Sequence, residues 1–349
     1  MNFASDNTAA IAPAILDAIV KTNQGFALSY GRDAMTARVT RAMSEVFERD
    51  VEVFLVATGT AANALALAHL SPPWGAVLCH AESHVNVDEC SAPEFFGGGL
   101  KLIDLAGEAG KIAIDTLKEA LELGPWGGPH HVTASALSLT QASEAGTIYR
   151  VDEIRALAEM AHRHGLTVHM DGARFANALA RLEVSPAEAT WKAGVDVLSL
   201  GATKAGALAA EAVVFFDPAR AAGMDKRRAR GGHRLSKHRF IAAQFEAFFA
   251  DDLWLMLARH ANAKADQLAA RLSAAGFVPV WPVEANAVFV ILPRRVDARL
   301  RAAGANYYPW NSRSLPRGVA SDAVLVRLVT SFATTEDDIA QFVDVAAAA

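Results

Sequence analysis

The sequence predicts an α/β protein: a mostly parallel central sheet with helices on both faces, followed by a smaller C-terminal α+β domain. Three observations carry this. From about residue 50 to 216, short apolar, β-rich runs alternate with helical patterns. Those runs are apolar throughout, as strands covered on both faces are. The 349 residues are enough for about two domains and a large core.

Taken in order, 51–57 reads as a strand and 61–70 as a helix with Ala62, Leu65, Ala66 and His69 on one face. Residues 76–79, 100–105 and 134–139 read as further strands. In 151–164, Ile154, Leu157, Ala158 and Ala161 follow helical spacing, and Gly165 suits the position just past a helix end. Strands 166–170, 195–200 and 212–216 follow. A long helical region over 240–275 ends at Gly276. Beyond it, 277–281, 287–292 and 324–329 read as strands, with helices at 296–303 and 335–345. The chain divides on this reading into a large domain over 1–250, with an N-terminal arm over 1–15, and a small domain over 251–349.

Composition narrows the class of molecule. With 52% hydrophobic and 20% charged residues, a disordered or collagen-like chain is excluded. The balance of 33 basic and 38 acidic residues, net −5, makes a poor polyanion binder, so no nucleic-acid partner is expected. The richest apolar window, 61–79, is interrupted by Asn63, His69, Pro72 and Pro73, which argues against a membrane span. Residues 1–10 lack a basic segment followed by an apolar one, so secretion is not expected. Cys79 and Cys90 form no CxxC pair and fit a reducing, cytoplasmic setting.

Ligands of an open parallel sheet bind beyond the carboxyl ends of its strands, so the polar residues there carry the chemistry. After 51–57 comes Thr58-Gly59-Thr60, a small-residue turn feeding a helix, suited to a phosphate or to an ordinary helix cap. It is neither GxGxxG nor a Walker loop. After 166–170 comes Asp171, with Arg174 close by, and after 195–200 comes Lys204. A lysine in a covered cleft loses its charge readily and serves Schiff-base chemistry. Taken singly, the Asp reads as a helix cap and the Lys as a surface residue. Together, a phosphate turn, an Asp and a Lys at strand ends of one sheet are what pyridoxal phosphate needs. No metal site is expected.

The segment from Val168 to Ala178, with Met170-Asp171-Gly172-Ala173-Arg174 at its centre, resembles the signature of the L-threonine aldolases. Ser5-Asp6-Asn7, Tyr30-Gly31-Arg32-Asp33, His84 with Glu89, Thr140-Gln141 and Arg327-Leu328-Val329-Thr330 resemble further segments of that family in the same order. The resemblance spans some 325 residues and implies a pyridoxal-phosphate enzyme of the aspartate aminotransferase fold. It implies that Lys204 forms the Schiff base, Asp171 faces the pyridine nitrogen, Arg174 faces the phenolic oxygen and His84 stacks on the ring. Thr58, Gly59 and Thr60 would hold the phosphate, and Ser5, Tyr30, Arg174 and Arg327 the substrate. A proton acceptor for the β-hydroxyl would be His84 or the His130/His131 pair, with His131 taken as the second catalytic histidine.

Residues 226–239 hold seven Lys or Arg; with the family in view they read as a loop aimed at a phosphate, with Arg230 and Arg234 as the candidates. Tyr307, Tyr308 and Trp310 offer aromatic area for an aromatic substrate, or for ordinary packing. The resemblance implies cleavage of L-threonine, L-allo-threonine or L-phenylserine-like substrates to glycine and an aldehyde. It also implies a homo-oligomer, a dimer or tetramer, with active sites at the dimer interface. The competing readings are an aminotransferase or β-eliminating lyase on the same cofactor, and a non-catalytic binding protein.

Overall fold

The strands expected between residues 51 and 216 form one seven-stranded sheet in the computed structural model, which describes residues 1–313, 315 and 318–348. Two helices with no counterpart among the predicted elements precede it, α1 (Pro13–Thr22) and α2 (Ala34–Val46). Then come β1 (Glu52–Val56), α3 (Gly59–Leu70), β2 (Gly75–His80), the short α4 (His84–Val87) and α5 (Ala92–Phe96), and β3 (Lys101–Leu105). A small hairpin, β4 (Gly107–Glu108) and β5 (Lys111–Ile112), leads into α6 (Ile114–Leu123) and β6 (Thr133–Thr140). The elements α7 (Val151–Arg163), β7 (Thr167–Gly172), α8 (Phe175–Leu182), β8 (Val197–Gly201) and β9 (Glu211–Phe215) complete the sheet. Past it lie α9 (Met224–Arg230) and α10 (Arg239–Phe249).

The strand order is β1-β9-β8-β7-β6-β2-β3. The run from β3 to β8 is parallel, whereas β9 is antiparallel to both β8 and β1. That reversal has a chemical consequence. It brings the first residue of β9, Glu211, beside Gly201 and Val56, among the carboxyl ends of its neighbours. Packed on one face of the sheet, α3 is buried from Ala61 to Ala68 around its circumference, not on one side only, because α5 and α9 also pack against it.

The expected helical region over 240–275 is two helices. Asp251 and Asp252 take left-handed backbone angles, φ 51° and 55°, which stop α10 before α11 (Leu253–Ala274) begins. The C-terminal part continues with β10 (Ala287–Pro293), α12 (Arg294–Ala302), β11 (Tyr308–Pro309), β12 (Ala323–Val329) and α13 (Glu336–Ala347). The expected strand at 277–281 is reduced to a single bridge between Pro279 and Val290, since Pro279 and Pro282 have no N–H to give a ladder. In its place the two-residue β11 pairs with β12, giving an antiparallel sheet ordered β10-β12-β11.

The helix α11 serves both cores. Trp254 and Ala258 near its start pack with the large sheet, and Ala265, Leu268 and Leu272 pack with β10, β12 and α13. The chain's first residues also join the second core. Phe3 is fully buried against Phe342, ring centroids 5.1 Å apart, and its N–H donates to the Asn306 carbonyl at 2.8 Å. This anchorage fixes where residues 5–7 run, which is over the carboxyl edge of the large sheet.

Candidate active site

At that edge lies a cavity of about 490 Å³, the size of a small organic ligand. Gly59 and Thr60 from the turn after β1, His84 after β2, Thr140 of β6, Asp171 of β7 and Lys204 after β8 all line it. The N-terminal Ser5 and, from the C-terminal part, Asn286, Trp310 and Arg327 close it. Residues scattered over more than 320 positions thus meet because parallel strands end on one edge.

The turn after β1 is built to take an anion. Thr58 is the N-cap of α3: its hydroxyl accepts from the Ala61 N–H at 3.1 Å and its carbonyl from the Ala62 N–H. That leaves the N–H groups of Gly59 and Thr60, both on the cavity wall, to a ligand at the positive end of a 12-residue helix. The protein leaves the space above Gly59 open, since a Cβ there would meet nothing nearer than Glu211 Oε2 at 3.9 Å.

Asp171 is buried at the end of β7 and held in place by the Asn63 Nδ2 at 2.8 Å and the Ala173 N–H at 3.0 Å. The same Asn63 nitrogen donates to Glu89 at 2.9 Å, and Glu89 in turn meets His84 Nδ1 at 2.9 Å. The chain Asp171–Asn63–Glu89–His84 fixes the His84 ring. The hydrogen bond from Glu89 raises the His84 pKa, and Asp171 adds to the rise against the opposing effect of burial. One turn of strand before Asp171, His169 is wholly buried between the Ser138 and Ser199 hydroxyls, each at 2.9 Å, and burial pushes its pKa down to about 4.

Lys204 sits just past β8 in the 3-10 turn Thr203–Ala205. Burial, and then the Arg174 guanidinium, push its ammonium pKa below the ordinary lysine range, which favours the free amine. Arg174 is itself locked: Nε and Nη2 reach the two Asp6 carboxylate oxygens at 2.8 and 3.0 Å. Burial works against the Asp6 charge, but Arg174 and Lys204 hold its carboxyl below its usual range. Two other carboxyls behave oppositely. Burial pushes Glu144 and Glu211 up to about 7 each, with Asp171 adding to both. Glu144 accepts the His84 N–H at 2.7 Å and so ties the 141–146 loop to the start of α4.

Of the residues expected at the site, Ser5, Gly59, Thr60, His84, Asp171, Arg174, Lys204 and Arg327 line this cavity, and Thr58 caps the helix behind it. Four are placed elsewhere in the chain's own fold. His131 lies on an exposed loop ahead of β6, at the amino edge of the sheet, whereas the cavity is at Thr140. The intervening strand measures roughly 25–30 Å at ~3.3 Å per residue, so His131 is not part of its own chain's cavity wall. Tyr30 stands 44% exposed with Arg234 over its ring at 5.7 Å, away from the cavity. Arg230 lines a separate cleft with Phe95, Phe96, Lys226 and Arg227. Tyr307 is buried against Phe342, while Tyr308 and Trp310 reach the cavity.

Sequence reasoning gave no role to Asn63, Asp6, Glu144, Glu211 or Asn286. Asn63 and Asp6 stand inside motifs already noted, but their partners, Asp171 and Arg174, are 108 and 168 positions away. The set present fits pyridoxal phosphate: an anion cradle at α3, a buried carboxylate opposite, and an amine between them whose charge is easily lost. Among the described residues the Arg327 guanidinium makes no hydrogen bond or ion pair, and its Nε is buried without a partner, which calls for an anionic ligand.

Comparison with known proteins agrees with the site. A family model described as beta-eliminating lyase matches residues 2–294. A low-specificity L-threonine aldolase of Pseudomonas aeruginosa is 43% identical over 308 residues, 88% of each chain. Another from a Pseudomonas species is 41% identical over the same share of both. The solved structure of a Leishmania major threonine aldolase, 28% identical, matches with a TM-score of 0.91 over 99% of this chain and 98% of that one. On the strength of these matches, the chain belongs to the beta-eliminating lyase family, on the branch of the low-specificity L-threonine aldolases.

Proposed function

We propose that the protein is a pyridoxal-phosphate-dependent aldolase that cleaves L-threonine, L-allo-threonine or related β-hydroxy-α-amino acids such as L-phenylserine to glycine and an aldehyde. The observation that carries the reading is the convergence of Lys204, Asp171, the open amino end of α3 and the unpaired Arg327 on one cavity. When bound, the cofactor supplies a cationic ring that accepts the electron pair released as the Cα–Cβ bond breaks.

Lys204, with its lowered pKa, offers a neutral amine for covalent attachment. Asp171, oriented by Asn63, would keep a proton on the cofactor's ring nitrogen. Gly59 and Thr60 would hold the phosphate, and Arg174, fixed by Asp6, would hold the ring oxygen. Arg327 binds the α-carboxylate, with Ser5 on the same wall. His84 has Nδ1 committed to Glu89, so Nε2 is the nitrogen left to take a proton from the β-hydroxyl.

Tyr30, Arg230 and Arg234 then serve a second copy of the chain. Leu16, Val20, Phe26, Leu28 and Leu235 are exposed on α1 and on the 23–32 and 230s segments, the last two tied together by the Tyr30 N–H donating to the Ser236 carbonyl at 3.0 Å. An apolar surface of this kind is suited to a homo-oligomer whose basic segment reaches the partner's phosphate. Among the described residues no helix is long and apolar enough to cross a membrane, and the two free cysteines suit a reducing cytoplasm.

The test is product analysis with purified protein. Equal amounts of glycine and benzaldehyde from L-phenylserine are expected, and Lys204→Ala should lose both the visible absorption of bound cofactor and turnover. Keto-acid formation without glycine would overturn the aldolase reading.

A further inference from the structure

The Arg327 guanidinium lies with its central carbon 4.5 Å from the centroid of the Trp310 ring. Its Nε is buried and unpaired, and burial together with the nearby Arg174 pushes its pKa down to about 10. Asp6, the carboxylate that acts most on Arg327, is already engaged by Arg174 and by the Asn286 amide at 3.0 Å. A ring face attracts a cation without neutralising it. A carboxylate in the same place would satisfy the guanidinium and compete with any ligand.

The ring has a second aromatic neighbour, which is itself held in place. Trp310 meets Phe289 edge-on at 5.7 Å, and Phe289 meets Trp281 edge-on at 5.0 Å. The backbone N–H of Trp310 donates to the Leu325 carbonyl at 2.9 Å, which anchors the chain that carries the ring. Two residues earlier, Tyr308 pairs with Arg327 across β11 and β12. The two-residue strand β11 therefore delivers the indole to Arg327 in a fixed register.

We propose that Trp310 is the positioning residue that fixes the plane of the Arg327 guanidinium, and through it selects amino acids over amines that lack the α-carboxylate. The proposal rests on the reading of Arg327 as the carboxylate site. Among the described residues the Trp310 ring pairs with Arg327 and Phe289, and with neither His84 nor Lys204, so its removal should weaken binding and spare the chemical step.

The experiment uses the holoenzyme, with ligand affinity read from the change in cofactor absorption. Glycine is the carboxylate probe and 2-aminoethanol the probe without one. Trp310→Leu should weaken glycine about 10- to 30-fold and raise KM for L-phenylserine alike, with kcat nearly unchanged. Its affinity for 2-aminoethanol should match wild type. Trp310→Phe, a smaller ring with a weaker face, should shift glycine in the same direction by less, and Trp310→Tyr should restore most of the affinity; these variants carry the test if the leucine protein does not fold. Unchanged glycine affinity in Trp310→Leu, or an equal loss for 2-aminoethanol, would overturn the proposal. Arg327→Leu separates the two readings: selective loss of glycine there with no effect of Trp310→Leu refutes only the role of Trp310. Unchanged glycine affinity in Arg327→Leu refutes the carboxylate site itself.

Discussion

Glu211 should make the cofactor-free protein less stable as pH rises, and Glu211→Gln should remove that dependence. The carboxyl begins β9, is 6% exposed, and has its Oε2 3.9 Å from where a side chain on Gly59 would start. Burial raises its pKa from 4.5 to about 7; Thr203 hydrogen bonds and Lys204 oppose the rise, and Asp171 adds to it. The group therefore keeps its proton in the folded protein where the unfolded chain has lost it. The resulting stability is full below 4.5 and is lost as pH climbs past about 7. At ~1.4 kcal/mol per tenfold difference in proton affinity, the swing is about 3 kcal/mol. Glutamine has the shape of the protonated acid and cannot ionise. In urea unfolding at one protein concentration, the variant should match wild type at about pH 4 and exceed it by about 3 kcal/mol at about pH 8. Glu144 drifts the same way in both proteins and cancels from the difference. An equal gap at both pH values would show that Glu211 is ionised in the fold, neutralised by Lys204, and would refute the argument.

Three further outcomes follow from the same geometry. Asn63→Leu strips the shared donor from Asp171 and Glu89, both buried, and should cost about 2–4 kcal/mol in urea unfolding. Glu89→Gln removes the main cause of the raised His84 pKa. If neutral His84 takes the β-hydroxyl proton, the acid limb of the kcat/KM profile should move to lower pH, toward the 6.5 of an unperturbed histidine. An unmoved limb would remove His84 from that role. Phe3→Ala empties a fully buried position against Phe342 and should cost about 3–5 kcal/mol, read from the unfolding midpoint.

The parallel sheet was legible because most strands between 52 and 215 are rich in apolar residues that do not alternate with charged ones, and such runs need cover on both faces. Asp171 and Lys204 were legible because each follows its strand directly, where ligands of such sheets bind. The break at Asp251 and Asp252 was not, since the apolar spacing continues through it and left-handed backbone at aspartate leaves little trace in the pattern. The two-residue strand β11 is too short for any period to show, yet it places Trp310 on Arg327.

The amino-acid sequence by itself determined the class of fold and, through Gly59, Thr60, Asp171 and Lys204 at strand ends, the cofactor chemistry, because these depend on residue type next to a strand end; the family resemblance added Ser5, His84, Arg174 and Arg327. Tertiary structure decided the rest. It paired Asp6 with Arg174 and joined Asp171 to His84 through Asn63 and Glu89. It reversed β9 so that Glu211 lies beneath the phosphate turn, and it put His131 at the far edge of the sheet. Those outcomes rest on strand direction and on pairs more than a hundred residues apart. Charges so brought together in a dry interior set one another's proton affinity, and no local pattern of residues records that.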